Sequence, residues 1–245
     1  MRRTDFPLRM TGSMKALVKR ALATFGIEAK RMPKNRFGWL RNLNINTVID
    51  IGANTGQFAR LIHHLVPQSD IYSFEPLASC FEELQREMGR VKQFRALKYA
   101  LGEEDGEVDM HRSEFSPSSS LLTMKQLHAK LFPYTAKTWV ERVPMRTLDG
   151  VATDLQFRDN VLVKIDVQGY EDRVIRGGGR TVSRAKALIV ETSFQPLYAS
   201  QVLFDGIYSM LKELGFSYTG SIDQLHSPLD GSVLQCDAVF VKGGA

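Results

Sequence analysis

Cysteine is scarce in this chain. Only Cys80 and Cys236 occur in 245 residues, far apart and outside any CxxC spacing. That excludes a disulfide scaffold and a zinc centre built on clustered thiolates. Long apolar runs are missing too: none reaches the roughly 18 residues that a membrane-spanning helix needs. There is no internal repeat or low-complexity tract. Hydrophobic residues, at 43%, are too abundant for a disordered chain. The N-terminus is basic, but no uninterrupted apolar stretch with a small-residue cleavage site follows it. No signal peptide is expected, and the expected location is the cytoplasm.

The net charge of +5 hides an asymmetry. Residues 1–41 hold eleven Lys/Arg against Asp5 and Glu28, whereas the remainder holds 21 basic and 25 acidic residues. Within this basic head, Met14, Leu17, Val18, Ala21, Leu22 and Phe25 fall on one helical stripe. One reading is a helix packed on the domain with a solvated basic face. The other is peripheral contact with a membrane surface or a lipid-linked acidic substrate. Nucleic acid is not an expected partner, because the basic residues are not interleaved with aromatics and the body is acidic. Residues 1–44 are therefore read as a basic N-terminal helical extension and 45–245 as the main domain.

After residue 44, strand-like and helix-like stretches alternate. Strands are expected at 47–51, 70–74, 94–100, 143–145, 161–165, 187–191, 216–219 and 238–242, with another after the Asp105-Gly106 turn. Helical spacing marks 57–65, 78–88, 170–175 and 202–214, with stops at Gly177-Gly178-Gly179 and Gly215. Near-continuous apolar strands such as "VLVKI" and "ALIVE" indicate a mainly parallel sheet covered on both faces. The last two strands, joined by a long loop, are read as an antiparallel edge. Residues 113–142 interrupt the alternation with a mixed helical stretch running to Trp139. They are read as an insertion, with "SPSSSLL" at 116–122 either a lid over a site or a plain surface loop.

"VIDIGANTG" at 48–56 runs from strand through a glycine turn towards a helix. A triphosphate loop needs Lys and then Ser/Thr after its last glycine. Here Gly56 is followed by Gln57-Phe58. A dinucleotide fingerprint needs G-x-G-x-x-G; Asn54 holds the middle position and no third glycine follows. The remaining ligand is a nucleoside carrying an amino acid. Asp50 sits at the strand end, the glycines allow close backbone approach, and Glu75 closes the next strand, where it can accept both ribose hydroxyls. Nicotinamide enzymes share that acid. A nicotinamide-dependent oxidoreductase on a Rossmann-type fold is therefore an alternative, as is a cofactor-binding protein without catalysis.

The segments "VIDIGANTGQF", "FEP", "ALGEEDGEV", "RTLDGV", "VKIDVQGYE" and "ALIVE", in this order, resemble the FkbM family of S-adenosylmethionine-dependent methyltransferases over about residues 45–220. The resemblance implies an α/β class I methyltransferase (Rossmann-like) fold: a seven-stranded, mostly parallel sheet with one antiparallel edge strand. It implies S-adenosyl-L-methionine as cofactor and methyl transfer to a hydroxyl of a sugar, glycolipid or natural product. It also implies that Asp50, Gly52, Asn54 and Gly56 line the methionine moiety and that Glu75 holds the ribose. Pro76 and Leu77, with Ala100 and Leu101, would lie beside the adenine.

Asp50, Glu75, Asp166 and Glu191 all close expected strands and should ring one crevice. Asp166 and Glu191 are the candidate catalytic carboxylates. A hydroxyl acceptor has a high pKa, so a base is useful. The base is a carboxylate or a histidine, with His111 and His128 the better-placed histidines and His63 and His64 expected on the surface. A carboxylate cluster also suits a divalent metal, and the residue pattern leaves base and metal both open. Lys164, inside an apolar strand, is expected to pair with one of these acids. Glu171 is read as a first-turn helix acid. The expected partner is a small-molecule or lipid-linked sugar acceptor.

Overall fold

The computed structural model describes residues 37–155 and 157–243. The helical stripe expected at 14–25 lies outside them. Every residue of the strand TVIDI is buried, which suits a central parallel strand covered on both faces. This strand, β1 (Thr47–Ile51), lies between β2 (Asp70–Phe74) and β7 (Val161–Ile165), both parallel to it. β3 (Phe94–Leu97) adds parallel to β2, and β8 (Ala187–Ser193) adds parallel to β7. The C-terminal hairpin supplies β9 (Phe216–His226) and β10 (Val233–Lys242). β10 pairs antiparallel with β8 and with β9, which takes the outer place. The sheet order is β3-β2-β1-β7-β8-β10-β9, so the antiparallel pair forms the edge region as the sequence suggested.

Successive strand residues point to opposite faces. Ile49, Val163 and Leu188 pack with Leu148, Val174 and Ile207 on one face. Val48, Leu162 and Ile189 pack with Ala59, Ile62 and Leu84 on the other. The covering helices are α1 (Gln57–Leu65), α2 (Ala78–Met88), α4 (Leu148–Leu155), α5 (Glu171–Gly177), α6 (Gly179–Ser183) and α7 (Phe204–Glu213). Burying each Ile, Leu or Val side chain here is worth about 1.5–3 kcal/mol, which leaves little tolerance for charge except at the strand ends. Among the described residues, no helix is long and apolar enough to cross a membrane.

Four expectations change. The stretch 94–100 is two strands: the chain leaves the main sheet after Leu97, and β4 (Ala100–Leu101) joins a second, three-stranded sheet. That sheet is built on a ribbon of β5 (Gly106–Ser113) and β6 (Thr138–Arg146), paired antiparallel from Gly106↔Met145 to Ser113↔Thr138. The interruption is therefore 114–137 rather than 113–142, and Trp139 lies on a strand. It contains α3 (Gln126–Leu131) and two short 3-10 turns, Ser116–Ser118 and Pro133–Thr135. Residues 148–155, between the strands expected at 143–145 and 161–165 and assigned no helix, form α4. Finally, the 3-10 helix Gly38–Leu43 belongs with the domain, because Phe37 and Leu40 are buried against Val48, Ala59 and Ile62.

Candidate active site

Sheet order places β2, β1, β7 and β8 side by side. Their carboxyl ends carry Glu75, Asp50, Asp166 and Glu191, so the four acids lie along one end of the sheet. Asp50 is fully buried. The Ser73 hydroxyl donates to its Oδ2 at 3.1 Å, while Oδ1 is buried without a partner. Burial pushes the Asp50 carboxyl up to about 6, against the downward pull of Lys164 and Ser73. Glu75 is also buried. Its Oε2 accepts the Asn54 N–H and its Oε1 the Leu77 N–H, both at 2.9 Å. Burial raises it to about 7 despite these two bonds. Each Glu75 oxygen keeps acceptor capacity beyond its one bond.

The glycine turn is shaped by the chain itself. The N–H groups of Gly52 and Ala53 both donate to the Phe74 carbonyl at 3.0 Å. Gly52 has φ +80°, and a Cβ there would stand 1.9 Å from the Asp166 carbonyl oxygen. Gly56, at φ +87°, would bring a Cβ within 2.9 Å of Leu84 Cδ1. The space left by the missing side chains is thus occupied by Asp166 and Leu84. Gly52→Ala combines left-handed strain with a backbone clash. It should lower stability on the order of 3 kcal/mol, read as a depressed Tm; an unchanged Tm would contradict this packing. Asn54, at φ 48°, accepts the Thr55 N–H through Oδ1 and shares contacts with Ser116 Oγ at 3.2 and 3.3 Å. Pro76 is buried. Ala100 packs with Leu77, Cys80 and Met145, and Leu101 lies in the main core.

On the other side of the crevice, Lys164 Nζ lies 2.7 Å from Asp166 Oδ2, the pairing the sequence suggested. Burial opposes the Lys164 charge, but Asp166 and Asp50 hold its pKa above the ordinary lysine value. Gln168 Nε2 donates to Asp166 Oδ1 at 3.0 Å and to Glu191 Oε2 at 2.5 Å. Gln235 Nε2 also donates to Glu191 Oε2, at 3.0 Å. Burial raises the Glu191 carboxyl well above its usual range, and the Asp166, Glu171 and Asp237 carboxylates raise it further. Glu171 accepts the N–H groups of Val167 and Gly169 at 3.1 and 3.0 Å. It is the first-turn helix acid that was expected, spent on holding the preceding turn.

Segment 114–137 reaches both sides. Ser116 meets Asn54; the Ser120 hydroxyl donates to the Gln168 carbonyl at 2.6 Å; the Ser118 carbonyl lies 3.2 Å from the Tyr198 hydroxyl. His111 is on β5, with Nε2 3.3 Å from Thr123 Oγ1. No hydrogen bond joins it to the acids among the described residues. His128 is buried edge-on against Phe132 and Tyr198, and burial lowers its pKa. His64 is exposed, as expected, and His63 half-buried. Gln168, Tyr198, Gln235 and Ser120 were not singled out from the sequence. The one local signal was the Gln-Gly pair, separated from a strand-end acid by one residue. Among the described residues, no group of three or more His, Cys, Asp or Glu is arranged to hold a metal ion; the cation beside Asp166 is Lys164.

This strand order, with buried acids closing β1 and β2 beside a glycine turn, defines a class I methyltransferase fold. The family model "Methyltransferase FkbM domain" matches residues 50–218. The chain belongs to that family and is an S-adenosylmethionine-dependent methyltransferase, and the nicotinamide reading falls. The 2-O-methyltransferase NoeI of Sinorhizobium fredii (strain NBRC 101917 / NGR234) is 28% identical over 171 residues, covering 67% of this chain and 70% of that protein. Among solved structures, methyltransferase FkbM from Methylobacillus flagellatus KT aligns at TM-score 0.48 and 13% identity, over 81% of this chain but only 44% of that one. Fibrillarin of Aeropyrum pernix, in complex with natively bound S-adenosyl-L-methionine, aligns at TM-score 0.45 and 11% identity, over 80% and 66%.

Proposed function

We propose that the protein transfers a methyl group from S-adenosylmethionine to a hydroxyl oxygen of a sugar, free or lipid-linked. The observation that carries this reading is Asp166, a strand-end carboxylate paired with Lys164 at 2.7 Å and facing the crevice where the sheet places its ligands. A carboxylate so placed orients a hydroxyl and takes up its proton as the oxygen loses it.

The residues on the cofactor side fit the nucleoside. Asp50 Oδ1 is a buried acceptor without a donor, suited to the amino group of the methionine end. The spare acceptor capacity of Glu75 suits a ribose diol. Ala100 and Leu77, with Pro76, offer the apolar wall that an adenine needs. The chemistry supplied by S-adenosylmethionine, when bound, is an electrophilic methyl on a sulfonium sulfur. The chain then needs only to align the acceptor and receive its proton.

Three further features favour a carbohydrate acceptor. Phe115 and Tyr134 are 45% and 61% exposed and meet at 5.3 Å. Phe115 directly precedes Ser116, and the two rings offer apolar surface to a sugar ring. The relative named a 2-O-methyltransferase supports oxygen as the acceptor atom. The basic first 41 residues suit an anionic or lipid-linked acceptor and peripheral contact with a membrane. The test is incubation of a glycolipid and metabolite extract with methyl-labelled cofactor, followed by identification of the labelled product. Label on a sugar oxygen is expected; label on nitrogen or carbon overturns the proposal.

Cofactor affinity should depend on pH through Glu75. Its carboxyl is raised from 4.5 to about 7, so its protonated fraction grows as pH falls through 7. A protonated carboxyl is a poorer acceptor for two hydroxyls. Affinity for S-adenosylhomocysteine should therefore fall below pH 7, by up to about tenfold per pH unit, and level off above it. Calorimetric titration between pH 5.5 and 8 checks this, and the Glu75→Gln variant should lose that component of the slope.

A further inference from the structure

We propose that Gln168 is the positioning residue of the acceptor site, fixing Asp166 and Glu191 relative to each other and tying both to segment 114–137. This rests on the reading of Asp166 as the acceptor-side carboxylate. Gln168 has φ 55°, a left-handed conformation that a residue with a side chain rarely adopts and that is strained. The following residue is a glycine, also left-handed at φ 98°, so the strain falls on Gln168 while its neighbour turns freely. The turn is fixed from inside by Glu171, which accepts the N–H groups on either side of Gln168.

The result is one side chain with every hydrogen-bonding group used. Its two amide hydrogens go to Asp166 Oδ1 and Glu191 Oε2, and its Oε1 accepts from the Tyr198 hydroxyl at 2.9 Å. Its backbone carbonyl accepts from Ser120. The orientation of the amide is forced: carboxylate oxygens only accept, so the NH2 must face the acids and the carbonyl must face tyrosine. Two neighbouring carboxyl groups repel when both are ionised. A neutral double donor holds them together without adding a cation, so Asp166 keeps its charge paired to Lys164 alone. Ser120 ties the Gln168 backbone to the covering segment, and Tyr198, whose hydroxyl also lies against the Ser118 carbonyl, holds the side-chain carbonyl. Displacing that segment would release Gln168, and with it the aim of both acids.

The charged and titratable groups facing Glu191 are Asp166, Glu171, Asp237, Lys164 and Tyr198. Removing the Gln168 donor takes a stabilising bond from the ionised form of Glu191. The test is a carboxyl titration by NMR on protein labelled at the glutamate side-chain carbon, with the Glu191 signal assigned by Glu191→Gln. Gln168→Ala should move the Glu191 midpoint upward. Gln168→Glu, which replaces the donor with a further acid, should move it further. S-adenosylhomocysteine affinity should stay within about twofold in both, because Gln168 touches no residue of the glycine turn. Tyr198→Phe, which frees Oε1 while keeping the ring, should shift the midpoint in the same direction and by less. If the amide is a bystander, the Glu191 midpoint stays in place in these variants while they still bind S-adenosylhomocysteine, and the proposal is overturned. The two readings fail separately: Asp166→Asn with undiminished methyl transfer removes the acceptor role of Asp166 but leaves the carboxyl titration untouched.

Discussion

Asp166→Asn is expected to lower methyl transfer about 10²–10³-fold while leaving S-adenosylhomocysteine affinity within about threefold. The substitution keeps the shape and removes the charge. It also mismatches both partners. Lys164 Nζ and Gln168 Nε2 are donors, each facing one Asp166 oxygen, and an asparagine can offer an acceptor to only one of them. If its oxygen faces Lys164, its NH2 meets the Gln168 NH2; if it turns round, the ammonium loses its partner. Either way the acceptor crevice loses its ionised carboxylate. The cofactor side is spared because only the backbone of Asp166 meets the glycine turn: its N–H donates to the Ile51 carbonyl and its own carbonyl lies against Gly52. Side-chain contacts to Gly52, Asn54, Gly56 or Glu75 are absent among the described hydrogen bonds. A buried ammonium left unpaired should also depress the Tm, so turnover is to be read below the melting transition. Steady-state transfer at saturating cofactor, alongside calorimetry, separates the two effects. Turnover equal to that of the native protein would remove Asp166 from the reaction.

The main sheet was legible because its strands are buried on both faces and leave apolar runs such as VLVKI in the sequence. The ribbon of β5 and β6 was legible only in part: strands after the Asp105-Gly106 turn and at 143–145 were expected, whereas their pairing and the reach of β6 back to Thr138 were not. Alternation survives at Arg142–Met145, where Val143 and Met145 are buried, but the other end of β6, Thr138–Val140, is exposed and lacks it. Met110, Val143 and Met145 pack together, and the rest is held by backbone pairing and by cross-strand pairs such as Arg142 with Glu107 and Arg112 with Glu141. Neither leaves a periodic signal. β4 is two residues long and could only be recognised through its partner β6.

At the site, the acids were legible because a charge that ends an apolar strand has few structural uses. Their organisers were not. Tyr198 lies 30 residues after Gln168, and Gln235 lies 44 after Glu191. Tyr198 follows β8, the parallel neighbour of the β7 that leads to Gln168, and Gln235 lies on β10, antiparallel beside β8, so both meetings depend on the sheet. Gln168 was hidden differently: nothing local marks a non-glycine residue for a left-handed conformation when a glycine follows it. The left-handed turn is imposed by Glu171 and by the bonds that the side chain makes once the crevice has formed. Position along a strand was therefore readable from sequence, whereas side-chain partnership across strands required the folded sheet.

Glu75→Ala is expected to weaken S-adenosylhomocysteine binding on the order of 10²–10⁴-fold, from the loss of two charge-assisted hydrogen bonds at roughly 1.5–3 kcal/mol each. Two effects add. The ribose diol loses its acceptor, and the Asn54 N–H, now without a partner, no longer holds the glycine turn against the end of β2. The Leu77 N–H at the start of α2 is released in the same way. Glu75→Gln separates the contributions. A glutamine oxygen can accept from one of these N–H groups, but its NH2 then faces the other, so the turn is half-restored and the diol finds one acceptor instead of two. Its affinity should fall between that of the native protein and that of the alanine variant. Folding should respond much less than binding. The native carboxyl is raised to about 7 by burial, so its ionised form is disfavoured by the fold. At pH 8 the alanine substitution removes that unfavourable charge while losing two backbone bonds, and the changes in ligand-free Tm partly cancel. Below pH 5 the native carboxyl is neutral and that compensation disappears, so the variant should lose more stability relative to native at pH 5 than at pH 8. A Glu75→Ala protein that binds S-adenosylhomocysteine with native affinity would show that the ribose is held elsewhere. A larger stability loss at pH 8 than at pH 5 would show that Glu75 is more stable ionised than neutral in the fold.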